Sequence, residues 1–347
     1  MRTAGHKLNL LGTTAIAAIA ALVIGAGGTR HHPNQPHEAL PQPATTTNGV
    51  FTISDNVSLV LLDVSVKGPN GGFVTGLDRA NFQVYEDGQQ RQISQFATVD
   101  TPVTIGLVVD NSGSMRFKRP EVVLAGLAFA RQSNPRDEFF VVNFNNAVLR
   151  GLPARTLFTD DLQALRAALY FGQPSGQTAL YDGIAYSLKH LEYSHRDKRT
   201  LIVVSDGGDN ASKIAFPDLM RLIEASRATI YTVGLYDPDD HEASPGVLRK
   251  MATVSGGEFF EPAKLDDIVP VLAKISKDIR NCYTIGYVPD ETNNKRIVRS
   301  VKVAAQENSK KLSVRTRTTY RITPFSELVA QQSRKDIQHS DTQQRGQ

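Results

Sequence analysis

Three oxygen-bearing side chains, Asp110, Ser112 and Ser114, stand on alternate residues directly after the apolar run Ile105 to Val109. A second loop, Ser175-Gly176-Gln177-Thr178, opens a helical stretch. A third, Ser205-Asp206-Gly207, follows the apolar run Leu201 to Val204. An all-oxygen donor set suits a hard divalent cation, Mg²⁺ with Mn²⁺ or Ca²⁺ as alternatives, and not zinc. The hydroxyls of Ser112, Ser114 and Thr178 can bind such an ion directly, while Asp110 and Asp206 hold its waters. Two carboxylates among neutral hydroxyls leave the ion short of negative charge. An Asp or Glu from a protein partner can then complete the shell.

Other chemistry is weighed against this. Asp and Ser commonly cap loops and helices, which explains one loop more readily than three. In a haloacid-dehalogenase-like phosphohydrolase, the main enzymatic alternative, a strand-end Asp is the nucleophile. A late acidic cluster resembling Ser205-Asp206-Gly207-Gly208-Asp209-Asn210 would then hold Mg²⁺. That reaction calls for a second acid two residues on to protonate the leaving group, and Ser112 stands there. No G-x-G-x-x-G follows the strand and no G-x-S-x-G elbow is present. The chain is therefore expected not to be an enzyme, and a structural role in envelope assembly is the third reading. Asp182 and Asp209 read as supporting or solvated groups rather than ligands. Asp237, Asp239, Asp240 and Glu242 read as a solvated acidic loop rather than a second cation site.

The positioning elements follow from periodicity. A strand that is apolar on successive residues is buried on both faces, as inside a parallel sheet. Between Thr104 and Asn281 such strands alternate with amphipathic helices. Helices are expected at Arg119 to Ser133, after a Thr159 cap, from about Ala179, at Pro217 to Arg227 and at Leu265 to Ile279. Strands are expected at Phe139 to Phe144, Leu201 to Ser205 and Thr229 to Leu235. This order predicts an α/β fold, a doubly wound and mostly parallel sheet. Oxygen groups at the carboxyl ends of its strands lie where open α/β sheets bind ligands.

Residues 50–100 and 282–322 carry short strands with Asp87-Gly88 and Gly71-Gly72 turns. Neither set can bury both faces alone, so the two are expected to form one split β-domain into which residues 102–281 are inserted. Residues 323–347 read as a polar tail. Residues 1–28 have a basic start, an apolar stretch and small residues, the pattern of a signal peptide or an N-terminal anchor. Residues 29–49, rich in Pro, His and Thr, read as a flexible linker, His31, His32 and His37 included. The chain is thus expected to be exported, periplasmic or extracellular, or held on the outer side of the cytoplasmic membrane only through that anchor. The single cysteine, Cys282, rules out an intrachain disulfide and reads as a small buried hydrophobe. The net charge of +4 is scattered. Without an aromatic-studded basic groove, nucleic-acid binding is not expected. The basic residues at Lys295–Lys302 and Lys310–Arg321 read as a solvated strand face.

The DNSGS run, the Gly176-x-Thr178 loop and SDGG, in this order on this alternation, resemble a von Willebrand factor type A domain with its metal-ion-dependent adhesion site. On that resemblance Asp110, Ser112, Ser114, Thr178 and Asp206 match the five motif positions. Val64, Gly76, Leu77, Phe82 and Glu86-Asp87-Gly88 before the domain, and Tyr283, Gly286, Tyr287 and Pro289 after it, resemble flanks found in bacterial exported members. The resemblance implies a cation-dependent protein-binding module whose last helix, Leu265 to Ile279, can shift with affinity.

Overall fold

The computed structural model of the chain describes residues 59–98, 100–236, 244–290 and 296–334. The expected signal or anchor segment, the expected linker with its histidines and the acidic stretch from Asp237 to Glu242 lie outside the described residues. Compactness divides the chain into Met1–Ser54 and Asp55–Gln347, and every described residue belongs to the second unit. Among the described residues, no helix is long and apolar enough to cross a membrane.

Four strands come first: β1 (Val60–Lys67), β2 (Phe82–Glu86), β3 (Gln89–Arg91) and β4 (Ile93–Ala97). The middle of the chain alternates: β5 (Val103–Asp110), α1 (Arg119–Gln132), β6 (Glu138–Phe144), β7 (Val148–Arg150), α2 (Leu162–Leu169), α3 (Leu180–Leu191), β8 (Lys198–Ser205), α4 (Phe216–Ala225), β9 (Thr229–Gly234), α5 (Pro245–Ser255), β10 (Phe259–Phe260) and α6 (Ile268–Arg280). Then β11 (Tyr283–Tyr287), β12 (Val298–Glu307), β13 (Lys310–Lys311), β14 (Ser313–Arg315) and β15 (Thr319–Arg321) follow.

The middle strands form one sheet in the order β10-β9-β8-β5-β6-β7, parallel except for β7. All eight residues of the central strand β5 are buried, which is why it reads as an unbroken apolar run. Its core gathers Val103, Ile105 and Leu107 with Phe140, Val142, Leu201 and Val203 and with helix residues such as Phe129, Leu188 and Ile275. Burial on this scale is the main stabilising term, at about 25 cal/mol per Å² of apolar surface. The α/β fold is therefore as expected.

The strands at the two ends of the chain pair with each other. β1 lies antiparallel to both β11 and β14, and β4 also pairs β11. β2 pairs β12 across more than two hundred residues of chain, with Val84 opposite Val303. Leu62, Val64, Phe82, Val84, Tyr283, Ile285 and Val301 fill a second core. Cys282 is buried and unbridged.

Several local expectations are corrected. The cap of α2 is Asp161, whose carboxylate accepts from the Gln163 N–H at 2.7 Å; Thr159 instead pairs its backbone with Phe139. The last helix opens with a 3₁₀ turn at Leu265–Asp267 before α6. Residues 325–334, within the polar tail, are helical, and Phe325 and Leu328 are buried in the main core. Arg296, Lys302, Lys310 and Lys311 are exposed as expected, but Arg299 and Arg317 are not part of a solvated face. Arg299 shares its side of β12 with Val301 and Val303, so the strand's two-residue period turns it inward. It is 1 % exposed and lies 3.6 Å from Asp87. Arg317 is buried too.

One buried carboxylate joins the two halves. Asp278 of α6 accepts from Ser65 Oγ of β1 at 2.6 Å and from Tyr231 Oη of β9 at 2.6 Å, and pairs with Arg315 of β14. Removing one member of such a network strands the others without water. Asp278→Ala is expected to lower unfolding free energy by about 3 to 5 kcal/mol in urea denaturation. A loss below about 1 kcal/mol, the range of an exposed pair, would show that the network does not hold the halves together.

Candidate metal centre

The three oxygen loops converge at the carboxyl end of the parallel sheet. β5 and β8 are neighbours, with Val109 opposite Val204, so Asp110 and Asp206 emerge from adjacent buried strands. The second loop is tied to the first by backbone bonds: Gly113 N–H donates to Gly176 O at 3.1 Å, and Ser175 N–H to Asn111 O at 3.0 Å. Gly176 has φ +75°, and a Cβ there would lie 1.7 Å from Asn146 Oδ1. That oxygen accepts the Gln177 N–H at 2.9 Å, so glycine is what lets the loop close. The third loop is stapled to the second through Asn210. Its Oδ1 accepts from Thr178 N–H at 2.8 Å, and its own N–H donates to Thr178 O at 3.0 Å. Gly207 turns this loop with φ +83°, where a Cβ would lie 2.6 Å from Ser244 O.

Within this frame the side chains form a connected set. Ser112 Oγ and Ser114 Oγ are 3.1 Å apart, and Ser114 Oγ donates to Asp206 Oδ2 at 2.9 Å. Asp110 is fully buried; its Oδ1 accepts from Ser112 N–H at 2.8 Å and its Oδ2 from Ser205 Oγ at 2.6 Å. Ser112 and Thr178 are also buried, whereas Ser114 is exposed, so the set opens to solvent on the Ser114 side. Burial first, and the Asp206 charge second, push the Asp110 carboxyl up to about 6. The hydrogen bonds from Ser112 and Ser205 work in the opposite direction but do not cancel this.

The donor set fits a small divalent cation. Octahedral Mg²⁺ with oxygens at about 2.0–2.1 Å places adjacent ligand oxygens about 3 Å apart. The 3.1 Å and 2.9 Å separations in the Ser112, Ser114 and Asp206 chain are of that size. A cation would also offset the burial and the Asp206 charge that together raise Asp110. Among the described residues no cluster of three or more His, Cys, Asp or Glu is present, so a site here depends on the hydroxyls.

Asp182 and Asp209 are brought close but are occupied otherwise. Asp182 accepts the Lys213 and Ile214 N–H groups, each at 3.0 Å. Asp209 accepts from Tyr181 N–H at 3.1 Å and from Ser212 Oγ at 2.5 Å. Both hold the segment after the third loop against α3.

Other positioning groups carried no sequence signal of their own. Ser205 fixes Asp110 and accepts the Gly207 N–H at 3.1 Å. Arg119, buried at the start of α1, donates to Asn111 Oδ1 of the first loop and to the carbonyls of Leu169 and Phe171 at 2.9 and 3.0 Å. Lys118 Nζ, also buried, donates to Leu235 O at 2.7 Å. Serine, arginine and lysine are too common for type alone to reveal these roles.

An open, mostly parallel sheet with hydroxyl and carboxylate loops at its carboxyl edge defines a ligand-binding α/β module. Residues 105–208 match the family model of the von Willebrand factor type A domain, and this part of the chain belongs to that family. Such domains are generally non-enzymatic interaction modules and often bind a divalent metal. An uncharacterized protein of Borreliella burgdorferi is 22 % identical over 139 residues, 39 % of this chain. The match covers 40 % of that relative's length. The von Willebrand factor type A structure from Catenulispora acidiphila is similar with TM-score 0.47 and 14 % identity, over 78 % of this chain and 75 % of that one. The vWF domain of the type V pili tip protein Mfa5 from Porphyromonas gingivalis gives TM-score 0.41 and 15 % identity, over 52 % of this chain and 96 % of that one.

In cation-free protein the folded state holds the Asp110 proton more tightly than the unfolded chain does. This group's destabilising effect is therefore full above about pH 6 and relieved as pH falls toward the ordinary aspartate range. In EDTA, Asp110→Asn should exceed wild type in urea midpoint near neutral pH, and the gap should narrow near about pH 5. A gap independent of pH would show that Asp110 is not raised.

Proposed function

We propose that the chain is an exported, divalent-cation-dependent protein-binding module. Asp110, Ser112, Ser114, Thr178 and Asp206 hold the cation, and an Asp or Glu of a protein partner completes its shell. The observation that carries this is the meeting of the three oxygen loops at the carboxyl end of the sheet, where Ser112, Ser114 and Asp206 are linked at 3.1 and 2.9 Å and the backbone of Thr178 is held to the third loop by Asn210. Mg²⁺ suits the small oxygen spacing best, with Mn²⁺ or Ca²⁺ as alternatives. The bound ion supplies a positive charge short of anionic ligands, which favours an incoming carboxylate. Ser112 and Thr178 position it from the buried side, and Ser114 stands at the opening. Phe117, three residues beyond Ser114 and 85 % exposed, offers apolar contact beside that opening.

A phosphohydrolase is disfavoured. Asp110 has no exposed surface and both of its oxygens accept hydrogen bonds, a poor arrangement for nucleophilic attack. Ser112 is neutral and cannot serve as the acid. Export rests on the composition of residues 1–28 alone. The domain limits proposed are residues 102–281 for the cation-binding module and residues 50–100 with 282–322 for the β-domain that carries it.

Ser112→Ala and Thr178→Ala should each weaken Mg²⁺ binding in calorimetry by about tenfold or more. The same changes, or EDTA with wild type, should release a partner captured from envelope extract in Mg²⁺. Unchanged Mg²⁺ affinity in both variants would defeat the proposal, as would phosphoester hydrolysis abolished by Asp110→Asn.

A further inference from the structure

The opposite end of the parallel sheet carries a second feature. A cavity of about 270 Å³ lies where Pro102, Lys198 and Thr229, at the amino ends of β5, β8 and β9, face Asp63 of β1 and Thr284 of β11. It is bounded on one side by the α/β core and on the other by the β-strands from both ends of the chain. Four cationic side chains line it, Arg196, Lys198, Arg227 and Arg317, against two carboxylates, Asp63 and Asp197.

These cations are under-matched. Arg196 pairs with Glu138 at 3.3 Å. Among the described residues, Lys198, Arg227 and Arg317 have no ion pair. Lys198 is buried, and its Nζ reaches only the Cys282 carbonyl, at 3.4 Å. Arg317 is 8 % exposed, and its side chain makes one hydrogen bond, from Nη2 to Ser226 O at 2.8 Å. Burial pushes its guanidinium down to about 10 even though Asp63 acts in the other direction; Arg227 adds to the depression. Arg227 and Arg317 also line a neighbouring cavity of about 600 Å³, where Arg199 and Arg321 are matched by Glu192 and Glu224 at 2.8 and 2.9 Å.

A buried guanidinium with most of its five N–H donors unused by protein favours a planar or tetrahedral oxyanion, which it can bind through two parallel hydrogen bonds. Lys198 adds a point charge, and Arg227 stands exposed at the entrance. Thr229 and Thr284 add hydroxyls, the former donating to Asp63 at 3.3 Å. We infer that this cavity is a binding site for a phosphate group, free or at the end of a small ester, held by Arg317, Lys198 and Arg227. It is separate from the cation centre, at the other end of the same strands. An anion bound there would also contact both the sheet and the β-strands that flank it, and so stiffen their junction.

The test is calorimetry and thermal unfolding of the full chain in EDTA, titrated with inorganic phosphate and, in a second arm, with glycerol phosphate. Sodium chloride at matched ionic strength is the control. Saturable binding and a higher unfolding midpoint are expected, and the tighter arm tells free ion from ester. Arg227→Ala and Arg317→Gln should each weaken binding by about tenfold or more. Asp63→Asn, which removes an opposing charge, should tighten it, a gain that a purely structural role does not produce. Ser112→Ala should leave it unchanged. Should Arg317→Gln fail to fold, the exposed Arg227 variant decides the matter. Phosphate acting no more than chloride, or binding Arg227→Ala as tightly as wild type, would overturn the inference.

Discussion

Two carboxylates, Asp110 and Asp206, leave adjacent buried strands and face one another at the edge of the sheet. Their repulsion, in a place with little water, is the constraint around which this end of the molecule is built. Ser205 and the Ser112 N–H hold Asp110 in place, and Ser114 bonds Asp206. Asn111 and Arg119 fix the first loop, Asn146 the second, and Asn210 joins the second to the third. A pre-set cluster of this kind would lose little freedom on binding a ligand, and that is how rigid sites gain affinity.

The sheet that presents this edge is anchored by strands drawn from both ends of the chain. Their pairing closes at Asp278, which sits on α6 and reaches β1, β9 and β14. Any displacement of α6 has to break or carry along these bonds. α6 is therefore tied mechanically to the β-strands, whatever binds at the opposite edge.

Much of this was legible in the sequence, for physical reasons. β5 and β8 are buried on both faces, so their apolar runs are unbroken, and the loops after them stand out by contrast. The alternation of strand and helix was enough for the fold, and the need of short strands for partners pointed to the pairing of early with late strands. The failures are equally physical. α5 was missed because its buried face, Leu248, Met251, Ala252 and Ser255, mixes large apolar residues with a small and a polar one; Pro245 at its start and Gly256 at its end were the readable marks. Thr159 looked like a helix cap because threonine caps helices, yet tertiary pairing with Phe139 claimed it. Arg299 and Arg317 were assigned to solvent by type, although the phase of β12 already placed Arg299 with Val301. Ser205, Asn111 and Arg119 act through neighbours that only folding supplies.

The most direct measurement is anomalous scattering from crystals of the full chain grown or soaked with Mn²⁺. A strong manganese peak within bonding distance of the hydroxyls of Ser112, Ser114 and Thr178 is predicted, with Asp110 and Asp206 reached directly or through water. Ordered loops with no peak among these five residues, or a peak elsewhere alone, would contradict a cation centre built from them.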